Sequence, residues 1–313
     1  MGKSGNHYLC AKEQKTDVYK EEMERCLNTL SRYTTTKQLN KLKADLQLQC
    51  DAFNEPQYLQ AACETSVTAT IAEAFPDNFR YEPKLSPPSD VDCTFKSDGY
   101  HFNIEIKCPD YTKMHEQDAR DVFNIGAFGK MNEFPIIASN LSELFADGVN
   151  KLEAQPHMDN KLKDFLLSAH KKFPSTTTEQ ELNILLVCCD DAMDMQKWFF
   201  YMFGLQGLLT PESYHSPEKY CNVDAIILSN IYNRHYNYSS KDKLSEHWDF
   251  NSAFNLIFKN RSISRGKDVA IWKLVDLVPN FSHEIMEHEC SEIDQYLMIP
   301  HFVNSVLSGK HFA

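Results

Sequence analysis

Four charged side chains in one short segment have the types and spacing that metal-assisted hydrolysis of a phosphate ester requires. They are Asp90, Asp92, Glu105 and Lys107. Carboxylate oxygens are the ligands that Mg²⁺ prefers, and the ion is commonly held by one or two carboxylates together with substrate phosphates. A nearby ammonium group can orient a water molecule or stabilise negative charge on a phosphate. The segment therefore predicts a Mg²⁺-dependent hydrolytic site, in which Mn²⁺ could substitute for Mg²⁺.

The alternation of polar and apolar residues places these side chains on a β-hairpin. Polar residues alternate with apolar ones over residues 90–96 and again over 101–108, and Asp98-Gly99 separates the two runs. Asp-Gly readily adopts the positive φ values of a tight turn. We therefore expect two antiparallel strands with one polar and one apolar face.

The register of this hairpin decides which carboxylates meet. With a two-residue turn, Asp92 faces Glu105, and Asp90 then faces the following polar residue, Lys107. A four-residue loop would instead set Asp90 opposite Glu105, so the sequence leaves open which Asp is the metal ligand. Two facing carboxylates repel each other, so such a face is either solvated or supplied with a cation. The plain alternative is a solvated face with a weak ion pair between Asp90 and Lys107.

A helix that precedes the hairpin offers one more carboxylate. Apolar residues recur there at helical spacing: Leu59, Cys63, Val67, Ile71 and Phe75. Pro56 suits the first turn of this helix and Pro76 ends it. Glu64 lies within the helix and could join the site.

The rest of the chain predicts an α/β protein, because strands alternate with helices. We expect one or two amphipathic helices over 17–50, helices over 141–154, 158–173, 193–203 and 293–307, and a loop over 111–132. Strands are expected at 135–138, 182–189, 223–228 and 269–275. On the helix over 158–173, a solvated face is expected for Lys161, Lys163, Lys171 and Lys172. Three acids, Asp190, Asp191 and Asp194, are expected in the first turn of the next helix, where they favour its dipole.

The order of these residues resembles the PD-(D/E)XK nuclease superfamily. The resemblance rests on Asp92 or Asp90, on Glu105-Ile106-Lys107 in the next strand, and on the helix that carries Glu64. It covers about residues 55–155. The proline of the motif departs from the family pattern, because Pro88 is separated from Asp90 by Ser89.

The resemblance implies a fold, a site and an activity. The fold would be a restriction-endonuclease-like core with a central mixed β-sheet flanked by helices over 55–240, an N-terminal helical segment over 1–54 and a C-terminal elaboration over 241–313. Asp92, or Asp90, and Glu105 would bind Mg²⁺, Lys107 would assist the attacking water, and Glu64 would be the helix carboxylate. The implied activity is endonucleolytic cleavage of nucleic acid, DNA rather than RNA, in a microbial defence or restriction role.

Two other functions fit the same residues. One is a catalytically inactive binding or scaffold protein that keeps the fold, and the other is a metal-dependent hydrolase of a small phosphate ester. Nucleic-acid phosphates could contact a basic stretch that consists of Lys259, Arg261, Arg265 and Lys267. An ordinary solvated loop explains that stretch equally well.

Composition and net charge limit the classes of protein to which the chain can belong. The chain has 313 residues, 42% of them hydrophobic, and a formal net charge of -12. This charge argues against a nonspecific coat for nucleic acid but not against a nuclease with a local basic site. No apolar run is long enough to cross a membrane, and ten cysteines without a Cys-x-x-Cys pair favour reduced thiols in the cytoplasm. Whether the chain works as a homo-oligomer or with a partner protein stays open.

Overall fold

A computed structural model describes most of the chain. It covers residues 5–10, 14–49, 52–120, 122–126, 130–145, 151–154, 157–175, 177–239, 246–260 and 266–278. The helices are α1 (His7–Cys10), α2 (Gln14–Leu30), α3 (Thr36–Asp45), α4 (Glu55–Ala74), α5 (Thr112–Asp118), α6 (Phe134–Leu144), α7 (Asp159–Lys172), α8 (Ala192–Phe203), α9 (Ile231–Tyr236) and α10 (Asp268–Leu277). The strands are β1 (Arg80–Tyr81), β2 (Cys93–Ser97), β3 (Tyr100–Lys107), β4 (Val122–Ile125), β5 (Lys151–Ala154), β6 (Glu181–Cys188), β7 (Ala225–Ser229) and β8 (Asn255–Lys259).

A six-stranded mixed sheet forms the centre of the fold. Its strand order is β1-β2-β3-β6-β7-β8, and β4 pairs with β5 in a separate two-stranded sheet. The three central strands β3, β6 and β7 run parallel, and the outer pairs are antiparallel. The expectation of an α/β protein with a mixed sheet flanked by helices is therefore confirmed.

Each face of the sheet packs on its own helices. Ile104 and Ile106 of β3 share a hydrophobic cluster with Cys63 and Val67 of α4. On the other face, Val187 of β6 belongs to a cluster with residues of α7 and α8. Strand alternation thus directs successive residues of β3 toward different helices.

The hairpin has the register that a two-residue turn predicts. Cys93 pairs with Ile104 and Phe95 with Phe102. Asp98 and Gly99 have φ values of 49° and 83°, so both occupy the left-handed region of a type I′ turn. The four-residue alternative is wrong, and the position opposite Glu105 is that of Asp92.

The helices that precede the hairpin also lie where the sequence predicts. The amphipathic stretch forms two helices, α2 and α3, and α4 covers the stripe of apolar residues. Asn54 caps α4 by accepting a hydrogen bond from the backbone N–H of Gln57, and Pro56 lies in its first turn. Burial around most of its circumference fixes α4 against the sheet.

Several other elements differ from the prediction. The runs at 135–138 and 141–144 are both part of α6, with Pro135 in its first turn, while 151–154 is β5. The expected loop over 111–132 contains α5 and β4. The expected strand at 269–275 is α10, whose buried positions Ala270, Ile271 and Leu274 follow helical spacing. Short apolar runs do not distinguish strand from helix by periodicity alone.

The C-terminal part of the described chain belongs to the same sheet. The boundary expected at residue 240 falls between β7 and β8, which pair with each other. The helix expected over 293–307 lies outside the described residues. In the described part of the chain, no helix combines the length and the apolar character needed to cross a membrane.

Replacing Gly99 by alanine should destabilise the hairpin through the backbone alone. A Cβ atom at this position would meet no atom within 4 Å, so the penalty is that of a left-handed alanine, about 1–2 kcal/mol. We expect Gly99→Ala to lower the free energy of unfolding in urea by this amount. Asp98→Asn is the control, because asparagine tolerates left-handed φ. Equal stability of the two variants would contradict the type I′ turn.

Candidate active site

The candidate site is built around Glu105, whose side chain has no exposed surface. Two ammonium groups contact the same carboxylate oxygen: the Nζ atoms of Lys107 and Lys172 each lie 2.6 Å from Oε1. Apart from these two ion-pair contacts on Oε1, neither oxygen has a hydrogen-bond partner among the described residues. A buried carboxylate thus holds two cations on one oxygen and leaves the second oxygen for another ligand.

The polar face of the hairpin is covered rather than solvated. Asn103 and Glu105 are both fully buried, and Asn103 donates hydrogen bonds to Glu181 and to Asn183 on β6. Lys107 pairs with Glu105, and among the described residues Asp90 forms no ion pair. The plain alternative of a solvated face with an Asp90–Lys107 pair is therefore wrong.

Asp92 is fixed beside Glu105 by the backbone of β3. Its N–H donates to the carbonyl of Ile104, 3.1 Å away, and its carboxylate accepts a hydrogen bond from the N–H of Ile106. Burial and the charges of Glu64 and Glu105 raise the pKa of Asp92 well above its ordinary value. The expected meeting of Asp92 with Glu105 is thus present, whereas Asp90 lies outside β2, and its charge contributes to the raised pKa of Lys172.

Glu64 reaches the edge of the same cluster from α4. Burial, followed by the charge of Glu82, raises its pKa to about 7, and the charge of Glu105 contributes. Glu64 also lines a polar cleft of about 240 Å³ between α3, α4 and the β1 segment. The helix carboxylate is therefore electrostatically coupled to Asp92 and Glu105 and open to solvent on its other side.

Lys172, the last residue of α7, was expected on a solvated face, and this expectation is wrong. Burial opposes its charge, but the carboxylate of Glu105 outweighs burial and raises the pKa of Lys172 above its ordinary value. Its neighbour Lys171 is exposed. The one signal in the sequence is the position of Lys172 at the end of the predicted helix, beside Phe173, which the structure shows to be buried.

The donor set fits Mg²⁺ in type and number. Among the described residues, no group of three or more His, Cys, Asp or Glu side chains is placed to hold a metal ion. Mg²⁺ does not need one, because it retains several waters and uses one or two carboxylates. Oε2 of Glu105 has no hydrogen-bond partner in the described residues, and Asp92 faces it across the hairpin. These two residues would hold the ion, and the charge of Glu64 acts on both.

Of the basic stretch near β8, the two residues that the structure describes, Lys259 and Lys267, do not join this site. Lys267 is buried and pairs with Asp224, with its Nζ atom 2.7 Å from Oδ2. Lys259 pairs with Asp268 and lies opposite the first residue of β7. Lys107 is the last residue of β3, which runs parallel to β7, so the two lysines lie at opposite ends of the strands. Lys267 thus forms a buried ion pair, and the prediction that it contacts phosphates is wrong. Arg261 and Arg265 lie outside the described residues.

The acidic run after β6 has mainly structural roles. Asp191 caps α8, and Asp194, which lies in the first turn as expected, is buried and accepts hydrogen bonds from Tyr111 and Trp198. Asp190 differs from the other two acids, because its carboxylate pairs with a histidine: Oδ2 lies 2.6 Å from Nε2 of His115. This pair raises the pKa of His115 even though burial acts in the opposite direction.

Comparisons with known proteins identify no relative, because the chain matches no family model, no curated protein and no solved structure. The resemblance to the PD-(D/E)XK superfamily therefore stays a resemblance of motif. Support for a function comes from the geometry around Glu105.

The raised pKa of Glu64 predicts a pH-dependent stability in the absence of metal. The folded state binds the proton more tightly than the unfolded chain, so the free energy of unfolding should fall as pH rises from about 4.5 to about 7. Glu64→Gln mimics the protonated acid and should reduce this fall, by up to about 1.4 kcal/mol per pH unit. Urea unfolding in EDTA at pH 5 to 8 measures the difference.

Glu21→Gln, on an exposed position of α2, is the matched control and should follow the wild type. At pH 8 the Glu64→Gln variant should be more stable than both. If its stability profile ran parallel to that of the wild type, Glu64 would not belong to the coupled carboxylates.

Proposed function

We propose that this chain is a metal-dependent endonuclease of the PD-(D/E)XK kind that hydrolyses phosphodiester bonds of nucleic acid, with DNA favoured over RNA. The observation that carries the proposal is the buried carboxylate of Glu105, which faces Asp92 and holds Lys107 and Lys172 on one oxygen. A stable core does not need this arrangement, because a hydrophobic group of similar volume would serve it equally well. It suits a reaction in which a carboxylate-bound cation and an ammonium act on one phosphate.

In the proposed reaction each residue of the site has a separate role. Asp92 and Glu105 would hold Mg²⁺, which supplies Lewis-acid stabilisation of the charge that develops on the phosphate. Lys107 would orient the attacking water, as in the family that the motif resembles. Lys172 would contact a non-bridging phosphate oxygen, since its stem extends from α7 and its ammonium is already held at the site.

Metal binding can be tested without a substrate. We expect Mg²⁺ to raise the thermal unfolding midpoint of the wild type, because a ligand that binds only the folded state stabilises it by about 2.7 kcal/mol at 100 times its dissociation constant. Asp92→Asn and Glu105→Gln should lose this shift. Asp77→Asn, which changes an exposed acid after α4, should keep it. A shift that survives in both site variants would place the ion elsewhere.

The two neighbouring lysines at the end of α7 provide a sharp test of activity. Lys172→Met should lower the cleavage rate by about 10²-fold or more, as expected for loss of a group that stabilises transition-state charge. Lys171→Met should cleave as the wild type does, because Lys171 is exposed on the same helix. Cleavage of supercoiled plasmid with Mg²⁺, with Mn²⁺ and with EDTA measures both variants beside Lys107→Met.

Several outcomes would reject the proposal. Equal activity of the Lys171→Met and Lys172→Met variants would exclude Lys172, provided that urea unfolding shows both to be folded. Cleavage of nucleotides with plasmid, single-stranded DNA and RNA left intact would favour a hydrolase of small phosphate esters. Metal binding without cleavage of any substrate would favour an inactive binding or scaffold protein.

A further inference from the structure

The polar cleft that Glu64 lines is formed by two helices that face each other. Its lining consists of Gln38, Lys41, Leu42 and Asp45 from α3 and of Gln57, Gln60, Ala61 and Glu64 from α4. Both sets recur at intervals of three and four residues, so one face of each helix lines the cleft. Tyr81, the last residue of β1, and Glu82 complete the lining. The volume of about 240 Å³ is that of about eight water molecules, so one planar ring can enter.

The backbone connects this cleft to the candidate site. Tyr81 is the register partner of Cys93, which directly follows Asp92. The N–H of Glu82 donates a hydrogen bond to the carbonyl of Asp92, 3.0 Å away. A ligand in the cleft would therefore lie next to a residue that would hold the metal ion.

Contacts between the walls fix the width of the cleft. Glu82 accepts a hydrogen bond from Nε2 of Gln38 at 2.9 Å, and Nζ of Lys41 lies 3.5 Å from its other oxygen. A further contact joins the two helices, because Nε2 of Gln57 on α4 donates to Oδ1 of Asp45 on α3 at 3.4 Å. The cleft is thus a formed cavity whose walls are bonded to each other.

Three polar groups of the lining take no part in these contacts. The amide of Gln60, the carboxylate of Glu64 and the hydroxyl of Tyr81 form no hydrogen bond with any described residue. Tyr81 is only 8% exposed, and buried polar groups are as a rule hydrogen-bonded. Burial and the charges of Glu64 and Glu82 raise the pKa of Tyr81, so its hydroxyl keeps the proton. The cleft therefore offers an amide, a carboxylate and a hydroxyl to a ligand.

The charges of the lining select among ligands. Three carboxylates and one ammonium face the cleft: those of Asp45, Glu64, Glu82 and Lys41. Such a lining repels a phosphate and favours a ligand that donates N–H hydrogen bonds. Nucleobases with an exocyclic amino group are ligands of this kind, because carboxylates accept from the amino group of cytosine and side-chain amides bond adenine.

We propose that the cleft between α3 and α4 binds an amino-bearing nucleobase of the nucleotide whose phosphate lies at the candidate site. Gln60 and Glu64 lie one turn apart on the same face of α4, so both reach one edge of a ring, and Tyr81 adds its hydroxyl. Uracil and thymine carry a carbonyl oxygen where cytosine carries the amino group, and a carboxylate repels it. The position of the phosphate rests on the proposed nuclease function, whereas binding of a free nucleoside does not.

Cytidine and uridine are the matched probes, because they differ at this amino group. The full-length chain, with ¹⁵N in its glutamine side chains, is titrated with each nucleoside in EDTA. Isothermal titration calorimetry measures the affinities. NMR locates the ligand through the amide signal of Gln60, which is assigned by its loss in Gln60→Leu. We expect cytidine to shift this signal and to bind about tenfold more tightly than uridine.

Variants separate the three groups from the rest of the surface. Gln60→Leu and Tyr81→Phe should each weaken cytidine binding about tenfold, and Tyr81→Phe removes only the hydroxyl. The matched control is Gln49→Leu, the same change at an exposed glutamine outside the lining, which should bind as the wild type does. Sequencing of cleaved DNA should show a base other than thymine at one fixed position beside the cut, and Gln60→Leu should lose this preference.

Three results would overturn the inference. They are equal affinity for cytidine and uridine, cytidine binding without a shift of the Gln60 signal, and cytidine binding that neither variant weakens. The nucleoside titrations do not depend on cleavage. A chain that binds cytidine at Gln60 but cuts no nucleic acid would therefore reject the proposed function and support the base site. Cleavage without base preference, by a chain that does not bind cytidine, would do the reverse.

Discussion

A negative charge without contact with water is the constraint around which this structure is arranged. Removing a carboxylate from water costs several kcal/mol unless cations and hydrogen bonds replace the lost hydration. Glu105 meets this demand with Lys107 from its own strand and Lys172 from α7, both on one oxygen. The hairpin register, the direction of α7 and the order of the central strands all have to be correct for these contacts to form.

The sheet supplies the rigidity that such a pair requires. β3 lies between β2 and β6, so its backbone is bonded on both sides and Glu105 cannot shift along the strand. The turn at Asp98 and Gly99 fixes β2, and through it Asp92, by positive φ values that match the twist of the two strands. Geometry at the site is thus determined by elements on both sides of β3.

The sequence predicted those parts of the site that depend on neighbouring residues. Asp92 could be placed opposite Glu105 because turn length and alternation fix a hairpin register. Lys172 could not be placed, because its contact depends on β6 returning beside β3, and no local pattern encodes that pairing. The same reason applies to Lys267, which looks like a surface cation in the sequence but is buried against Asp224.

One property of β-strands accounts for both chemical features at the end of β3. Successive side chains point to opposite faces, so Lys107, which pairs with Glu105, and Cys108, which packs against the apolar layer, are adjacent in the chain but separated by the sheet. Lys107 faces charged groups that need a fixed geometry, while Cys108 faces an apolar layer in which sulfur packs well. A single peptide unit connects the two environments. The packing of Cys108 on one face therefore helps to fix the position of Lys107 on the other.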